Sequence, residues 1–201
     1  RTGALAFDVA VFTNLTQDHL DYHHTMDEYY AAKRLLFDRI APSAHAPGPA
    51  AVVMIDCPWG RRLADELRAA GLAPLTLSIA GAPDAVCRAE AIRVAGDGCS
   101  FDLVWHGQRH RGVRINLLGR HNVANALCAM AATAACGVPV ERVIAAAAHV
   151  PAVPGRLEFI PNTLGLIVVV DYAHTDDALR NVLVCLREVT HGAVWVVFGC
   201  G

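Results

Sequence analysis

The chain has almost no lysine: of its 17 basic residues, 16 are arginine and only Lys33 is lysine. These basic residues nearly balance 19 acidic ones, which leaves a formal net charge of −2 over 201 residues. A charge so close to zero gives no support for nucleic-acid binding or for a polybasic membrane surface. A hydrophobic fraction of 54% against 18% charged residues also excludes a disordered chain.

Several signatures of broad protein classes are missing as well. No apolar run reaches the roughly 18–20 residues that a membrane span requires, so we expect no membrane insertion. The seven cysteines are scattered and never show C-x-x-C spacing, which argues against a zinc site or a disulfide framework. Buried thiols in a reducing compartment are the remaining interpretation, and we therefore expect a cytoplasmic protein.

Two glycine-rich phosphate-binding loops are also absent, since neither G-x-x-x-x-G-K-[ST] nor G-x-G-x-x-G occurs in the sequence. No signal peptide is visible, yet the chain starts at Arg1 rather than at a methionine. It stops at FGCG, where a predicted strand meets a glycine turn. We therefore expect both ends to lie inside a longer sequence.

What is present is an alternation of strands and helices, which predicts an α/β fold with a mostly parallel sheet. Strands are predicted at 7–15, 51–55 and 75–79, followed by a meander at 89–94, 100–105 and 112–116. Helices are predicted at 25–40, 61–70, 127–136 and 139–149. Prolines and a glycine at 151–155 place a domain boundary between residues 153 and 154. Beyond it, segments 166–170, 176–189 and 193–198 predict one β-α-β unit.

A cluster of ionisable side chains follows the first predicted strand, in the sequence DHLDYHH. It contains Asp18 and Asp21 together with His19, His23 and His24. Open α/β sheets bind ligands at the carboxyl ends of their strands, so this cluster can bind a metal or move protons. The alternative interpretation is a polar, hydrogen-bonded loop.

The single lysine lies on the helix predicted next. Helical spacing puts Lys33 beside Tyr29, Tyr30, Leu36 and Phe37, which form an apolar and aromatic stripe. Burial there would favour the neutral, nucleophilic amine, which can also take up carbon dioxide and become a carbamate ligand for a hard metal. The alternative is a lysine whose stem lies on apolar surface and whose ammonium reaches water.

Two further segments carry polar side chains suited to a ligand. Asn122 and Asn125 are three residues apart at a predicted helix start, so their amides face one side and can bind a base or a ribose. A helix cap and a solvent-facing amide would explain the same pair. Arg156, next to the predicted boundary, can bind a phosphate or form an ion pair with Glu158, and the ion pair is the ordinary expectation.

The last candidate segment is the turn after the strand 166–170. It places Asp171 at the strand end and His174 just before a helix, an arrangement typical of a ligand-facing β-α turn. Asp176 and Asp177 follow at the helix start, where acidic residues complement the helix dipole. For Asp171 and His174, ligand binding and a purely structural role both remain open.

Taken together, these segments resemble the Mur ligases, the ATP-dependent amide-forming synthetases of peptidoglycan assembly, and most of all the branch that adds the third residue. The resemblance is carried by TNLTQDHLDYH, YYAAKRLLF, GRHNVANALCA, PGRLE, VVVDYAHTDDAL and VVFGCG, which occur in the family's order along essentially the whole chain. It implies that residues 1–153 are part of a central ATP-binding domain. Residues 154–201 would begin a Rossmann-like C-terminal domain that binds the amino acid.

By this resemblance, ATP and Mg²⁺ are the cofactors. Lys33 corresponds to a carbamylated lysine and His19 to a ligand of the magnesium ion that neutralises the γ-phosphate. The family's phosphate-binding loop would lie upstream of Arg1, and its segment recognising the third amino acid would lie downstream of residue 201. We therefore expect the 201-residue chain alone to be inactive as a ligase.

The nucleotide side of the family site maps onto five residues. Asn122 and Asn125 match the pair at the nucleotide, Arg156 the hinge arginine, and Asp171 the aspartate that contacts the ribose. His174 lies in the same motif as Asp171. Three positions depart from the family's usual pattern, namely His24 in place of glycine, Asp176 in place of proline, and His121 in place of an aromatic residue.

The resemblance also implies the substrates. UDP-N-acetylmuramoyl-L-alanyl-D-glutamate would be activated as an acyl phosphate and then attacked by the amine of a diamino acid, which we take to be meso-diaminopimelate rather than lysine. Arg1 matches the end of the stretch that contacts the UDP-linked dipeptide, and we expect a monomer. The alternatives are a ligase related to folylpolyglutamate or cyanophycin synthetase, and a truncated module without catalytic activity.

Overall fold

The fold was analysed in a computed structural model that describes residues 5, 7–16, 24–40 and 50–199. Six strands form a sheet in chain order: β1 (Val9–Phe12), β2 (Ala50–Met54), β3 (Leu75–Ser78), β4 (Cys87–Ala95), β5 (Gly98–Trp105) and β6 (Gln108–Ile115). Strands β1 to β4 pair in parallel, whereas β5 and β6 are antiparallel additions. The predicted mostly parallel α/β sheet and its meander are therefore confirmed.

Helices cover both faces of this sheet because the side chains of a strand alternate between its faces. In β2, Val52 and Met54 pack on one face, against α3 (Arg120–Ala135) and α4 (Val140–Ala147). Ala51 and Val53 pack on the other face, against α1 (Met26–Arg34) and α2 (Pro58–Ala69). This two-sided cover explains why the parallel strands are almost continuously apolar.

The helix boundaries that differ most from the prediction are the end of α1 and the start of α3. Helix α1 is capped by Thr25, whose hydroxyl accepts a hydrogen bond from the Glu28 N–H at 3.1 Å. It ends at Arg34, however, and the chain continues through a turn into a short 3-10 helix at Phe37–Arg39. Helix α3 starts seven residues earlier than the predicted 127, directly after Gly119, whose φ of 93° ends the preceding loop.

The C-terminal part contains a hairpin of β7 (Glu158–Ile160) and β8 (Val168–Val170), followed by α5 (Asp176–Val189). The predicted β-α-β unit is correct in its first strand and its helix but wrong in its last strand. Residues 193–198 form no strand, since a strand requires a hydrogen-bonded neighbour and the sheet of β7 and β8 has no third strand among the described residues. The side chains of Trp195 and Val197 are accordingly 89% and 97% exposed.

The two parts of the chain meet through a small apolar cluster. Leu118, in the loop before α3, packs with Leu157 and with Cys185 of α5, and all three side chains are buried. The division at residue 153 itself stays a prediction. Across the described ranges, no helix has both the length and the apolar character that crossing a membrane demands.

Candidate active site

A cavity of about 730 Å³ opens at the carboxyl ends of the parallel strands. Asn14 follows β1 there, Asp56 follows β2 and Ile79 follows β3. The first turn of α3 forms one wall, and residues from 153 to 182 form another. This is the edge at which open α/β sheets bind their ligands.

The cavity collects most of the predicted site residues. Its lining includes Asn122, Asn125, Arg156, Asp171 and His174, which come from three separate segments of the chain. Of the three predicted site residues that remain, Arg1 and His19 lie outside the described residues. Lys33 is described but is not part of the lining.

The two asparagines of α3 have different environments. Asn122 donates from its Nδ2 to the carbonyl oxygen of Leu118 at 2.8 Å, and its Oδ1 accepts from Asn125 Nδ2 at 3.2 Å. The helix cap is Gly119, so the interpretation of an asparagine as the cap is wrong. Asn125 is exposed, and its Oδ1 has no hydrogen-bond donor among the described residues. Asn125 therefore offers a free acceptor to a ligand, and Asn122 orients it.

Hydrogen bonds join two turns of the chain, at residues 154–158 and 171–174. The Asp171 carboxylate accepts from the Leu157 N–H at 2.8 Å and from the Ala173 N–H at 2.7 Å. The Tyr172 N–H also donates to the Gly155 carbonyl oxygen at 2.9 Å. Leu157 has a φ of 47°, a left-handed conformation that is unfavourable for leucine. Asp171 therefore braces a strained turn as well as lining the cavity.

Replacing this brace, as in Asp171→Asn, is expected to lower the free energy of unfolding by about 1.5–3 kcal/mol, because one of the two N–H donors loses a charged acceptor. Urea unfolding measures the change. The matched control is Asp84→Asn, since the Asp84 carboxylate is 54% exposed and faces Arg61 across 3.3 Å; we expect a loss of about 1 kcal/mol or less. Equal losses in the two variants would contradict the bracing role.

Arg156 does not make the predicted ion pair with Glu158. Glu158 Oε2 instead accepts the Gly155 N–H at 2.7 Å. The guanidinium of Arg156 lies over the ring of Tyr172, with 5.3 Å from Cζ to the ring centroid. Within the described ranges Arg156 has no carboxylate partner, so its charge is available at the cavity.

The histidines of the cavity differ in exposure. His174 is exposed, and its Nδ1 lies 3.0 Å from the Tyr172 carbonyl oxygen. His121 is half-buried, and burial lowers its pKa although the nearby Asp171 carboxylate works in the opposite direction. In the sequence, His121 was notable only as a departure from the family pattern. Its place beside Asn122, in the first turn of a helix at the ligand-binding edge of the sheet, could have identified His121 as a cavity residue.

Asp56 is a cavity residue that sequence reasoning missed. Its carboxylate accepts hydrogen bonds from the Ser78 hydroxyl and from the Ile79 N–H, the latter at 2.7 Å. It thus joins the ends of β2 and β3 on the cavity floor. An acidic residue directly after the buried strand residue Ile55 was the signal that could have identified it.

The structure does not bury Lys33. Its side chain is exposed, with Nζ 5.2 Å from the centroid of the Tyr29 ring. The burial that would favour a neutral amine is therefore absent. No group of three histidine, cysteine, aspartate or glutamate side chains in the described part of the chain is arranged to hold a metal ion, so these residues do not form a magnesium site by themselves.

Helix α1 is nevertheless fixed firmly against α2. Arg34 Nε lies 2.9 Å from Glu66, which also accepts from Arg62 at 2.9 Å. Tyr30 stacks on Trp59 with 5.3 Å between ring centroids, and burial raises the pKa of Tyr30 to about 12. The position of Lys33 on the surface of α1 is thus well defined.

The fold is that of ligases with a Mur-type middle domain. Residues 1–133 match the Mur ligase middle domain, and residues 155–201 match the Mur ligase glutamate ligase domain. The chain therefore belongs to the Mur ligase family.

Individual relatives point to one branch of the family. The chain is 41% identical over 209 residues to the UDP-N-acetylmuramoyl-L-alanyl-D-glutamate–2,6-diaminopimelate ligase of Geobacter metallireducens, covering 100% of this chain and 38% of that protein. It thus spans well under half the length of the curated relatives that it matches.

Solved structures agree with this placement. A ligase structure of the same name is 30% identical, with a TM-score of 0.79 and coverage of 100% of this chain and 39% of that one. The apo form of L. casei FPGS has a TM-score of 0.77 at 18% identity, covering 96% of this chain and 45% of that one. The second match shows a shared fold alone.

Proposed function

We propose that this chain supplies the adenine-nucleotide cavity of an ATP-dependent ligase of peptidoglycan synthesis. The observation that carries the proposal is the convergence of five separately predicted residues on one cavity of about 730 Å³. That volume lies within the range of small-molecule and cofactor sites, about 300–1,000 Å³. We infer a monomeric, cytoplasmic enzyme.

Each cavity residue has a role suited to its chemistry. The free Oδ1 of Asn125 can accept a hydrogen bond from the amino group of adenine. The Asp171 oxygens keep lone pairs beyond their two backbone donors and can accept from ribose hydroxyls. Arg156 supplies an unpaired guanidinium to phosphate oxygens.

The complete reaction, in our proposal, transfers the γ-phosphoryl group of ATP to the carboxylate of UDP-N-acetylmuramoyl-L-alanyl-D-glutamate. The amine of the incoming diamino acid then attacks the acyl phosphate, an amide bond forms and phosphate leaves. The residues of this chain bind and orient the nucleotide and balance its charge. Because the sequence contains no phosphate-cradling lysine loop, we expect no turnover by the 201 residues alone.

The diamino acid we propose is meso-diaminopimelate. Support comes from relatives that are 37–41% identical and carry 2,6-diaminopimelate in their names. Lys33 and His19 remain the proposed magnesium-side residues, with the metal supplying charge neutralisation at the transferred phosphate. For Lys33 the support is the family resemblance, since its exposure gives none.

The test is nucleotide binding to the chain itself, measured by calorimetry and NMR. We expect ADP to shift the resonances of cavity residues, and Arg156→Gln to weaken ADP about tenfold or more without weakening adenosine, because only ADP carries phosphates. Arg114→Gln is the control, since Arg114 is exposed and pairs with Asp97 outside this cavity.

The proposal also predicts which cavity residues the two ligands affect. Adenosine and ADP should perturb the same wall of the cavity, around Asn125. If ADP at millimolar concentration left the cavity resonances unchanged, or if Arg114→Gln weakened ADP as much as Arg156→Gln, the nucleotide assignment would be wrong.

A further inference from the structure

The ring of Tyr172 is placed where core packing does not explain it. The side chain is 67% exposed although it belongs to a large aromatic residue. Its ring contacts are the Arg156 guanidinium on its face and the His174 ring, which meets it edge-on with 5.3 Å between centroids. All three side chains line the cavity.

The backbone holds this stack in register. Tyr172 donates its N–H to the Gly155 carbonyl oxygen at 2.9 Å, one residue before Arg156. On either side of Arg156, Gly155 has a φ of 69° and Leu157 a φ of 47°. The arginine thus projects from a tightly curved turn, directly opposite the residue whose ring it covers.

Arg156 also has a competing partner nearby. Glu158 is two residues away, and only its Oε2 is engaged, by the Gly155 N–H. An ion pair with the remaining oxygen would neutralise the guanidinium. The stack on Tyr172 keeps the charge unpaired, and cation–π contact favours that arrangement.

We propose that Tyr172 is a positioning residue that holds the Arg156 guanidinium at the cavity as an unpaired cation for the phosphates of the bound nucleotide. The proposal rests on the nucleotide-binding function proposed above. The role belongs to the ring alone, since neither the contact with Arg156 nor the backbone hydrogen bond of Tyr172 involves the tyrosine hydroxyl. Phenylalanine should therefore replace tyrosine without loss.

The first arm of the test needs no ligand. The Arg156 Nε–H resonance should be shifted upfield by the ring current in the wild-type chain and in Tyr172→Phe. It should return towards its free value in Tyr172→Leu. An unchanged Arg156 resonance in Tyr172→Leu would overturn the proposal whether or not the chain binds nucleotides.

The second arm measures ADP and adenosine binding. Tyr172→Leu should weaken ADP about two- to fivefold and leave adenosine unaffected, and Tyr172→Phe should restore ADP binding. In an Arg156→Gln background, Tyr172→Leu should cause no further loss, because the ring then has no cation to position. A loss that persists in that background, or an equal loss for adenosine, would show that Tyr172 contacts the nucleotide directly and would overturn the proposal.

If wild-type chain bound no nucleotide, the function proposed for the cavity would fail. The ring-current arm would still decide whether Tyr172 positions Arg156. The two failures are thus distinguishable.

Discussion

Lys33→Arg is expected to abolish amide-bond formation in a full-length ligase that contains this segment, by on the order of a thousandfold or more. The family resemblance assigns Lys33 a carbamate that binds the catalytic magnesium ion. Forming the carbamate requires a neutral amine, and arginine is not deprotonated in proteins. The measurement is the rate of phosphate release coupled to ligation, at saturating substrates.

The structure makes this variant informative because it separates chemistry from stability. Lys33 is exposed and its Nζ contacts the Tyr29 ring across 5.2 Å. Arginine keeps both the charge and the ring contact, so urea unfolding should be unchanged.

The reverse exchange at the neighbouring position is the control. Arg34→Lys loses a guanidinium that contacts Asp38 at 3.0 Å and Glu66 at 2.9 Å, which should cost about 1 kcal/mol of stability and leave ligation unchanged. Near-normal ligation by Lys33→Arg would rule out the carbamate.

The sheet could be predicted from the sequence because its determinants are local. Buried parallel strands are short apolar runs, and the glycine turns at 96–98 and 107 separate the antiparallel strands of the meander. Residues 193–198 have the same apolar composition and form no strand. Whether such a segment pairs depends on a neighbour distant in sequence, and composition carries no information on that neighbour.

The stripe around Lys33 shows a second limit. The prediction that Lys33 lies beside Leu36 and Phe37 assumed a helix that continues past both residues. Helix α1 ends at Arg34, and Phe37 lies in a separate 3-10 turn with a different periodicity. Tyr30 is buried because Trp59 of α2 stacks on it, whereas Lys33 is exposed. Tertiary contacts, rather than spacing, therefore decided which side of α1 was buried.

The carboxylates of the site were predictable by type but not by partner. Asp171 was identified by its place after a strand. One of its two backbone donors, Ala173, is local, but the other, Leu157, lies in the turn before β7 and could not be foreseen. Glu158 was assigned to Arg156 as an ion-pair partner because the two are close in sequence. Its Oε2 instead accepts a hydrogen bond from the Gly155 N–H. Buried N–H groups must find acceptors, and that demand is set by the folded backbone.

Gly60→Ala is expected to destabilise the chain by about 3 kcal/mol or more, one of the largest effects of any single methyl group in this fold. Gly60 lies in the first turn of α2, where the helix passes directly over the end of β2. A Cβ at this position would stand 1.9 Å from the carbonyl oxygen of Met54 and 3.0 Å from its carbonyl carbon. Both obstacles are backbone, so no side-chain rotation relieves the clash. Urea unfolding measures the loss.

The same displacement should reach the cavity, because Met54 and Asp56 lie at the end of β2 and line it. ADP binding by Gly60→Ala should therefore weaken along with stability, even at temperatures where the variant stays folded. Gly96→Ala is the matched control: a Cβ there meets nothing within 4 Å, so its unfolding free energy should stay within about 0.5 kcal/mol of wild type. If Gly60→Ala were as stable as Gly96→Ala, α2 would have to sit farther from β2 than the structure places it. Tight packing of the α2 start would then not be what fixes the floor of the cavity.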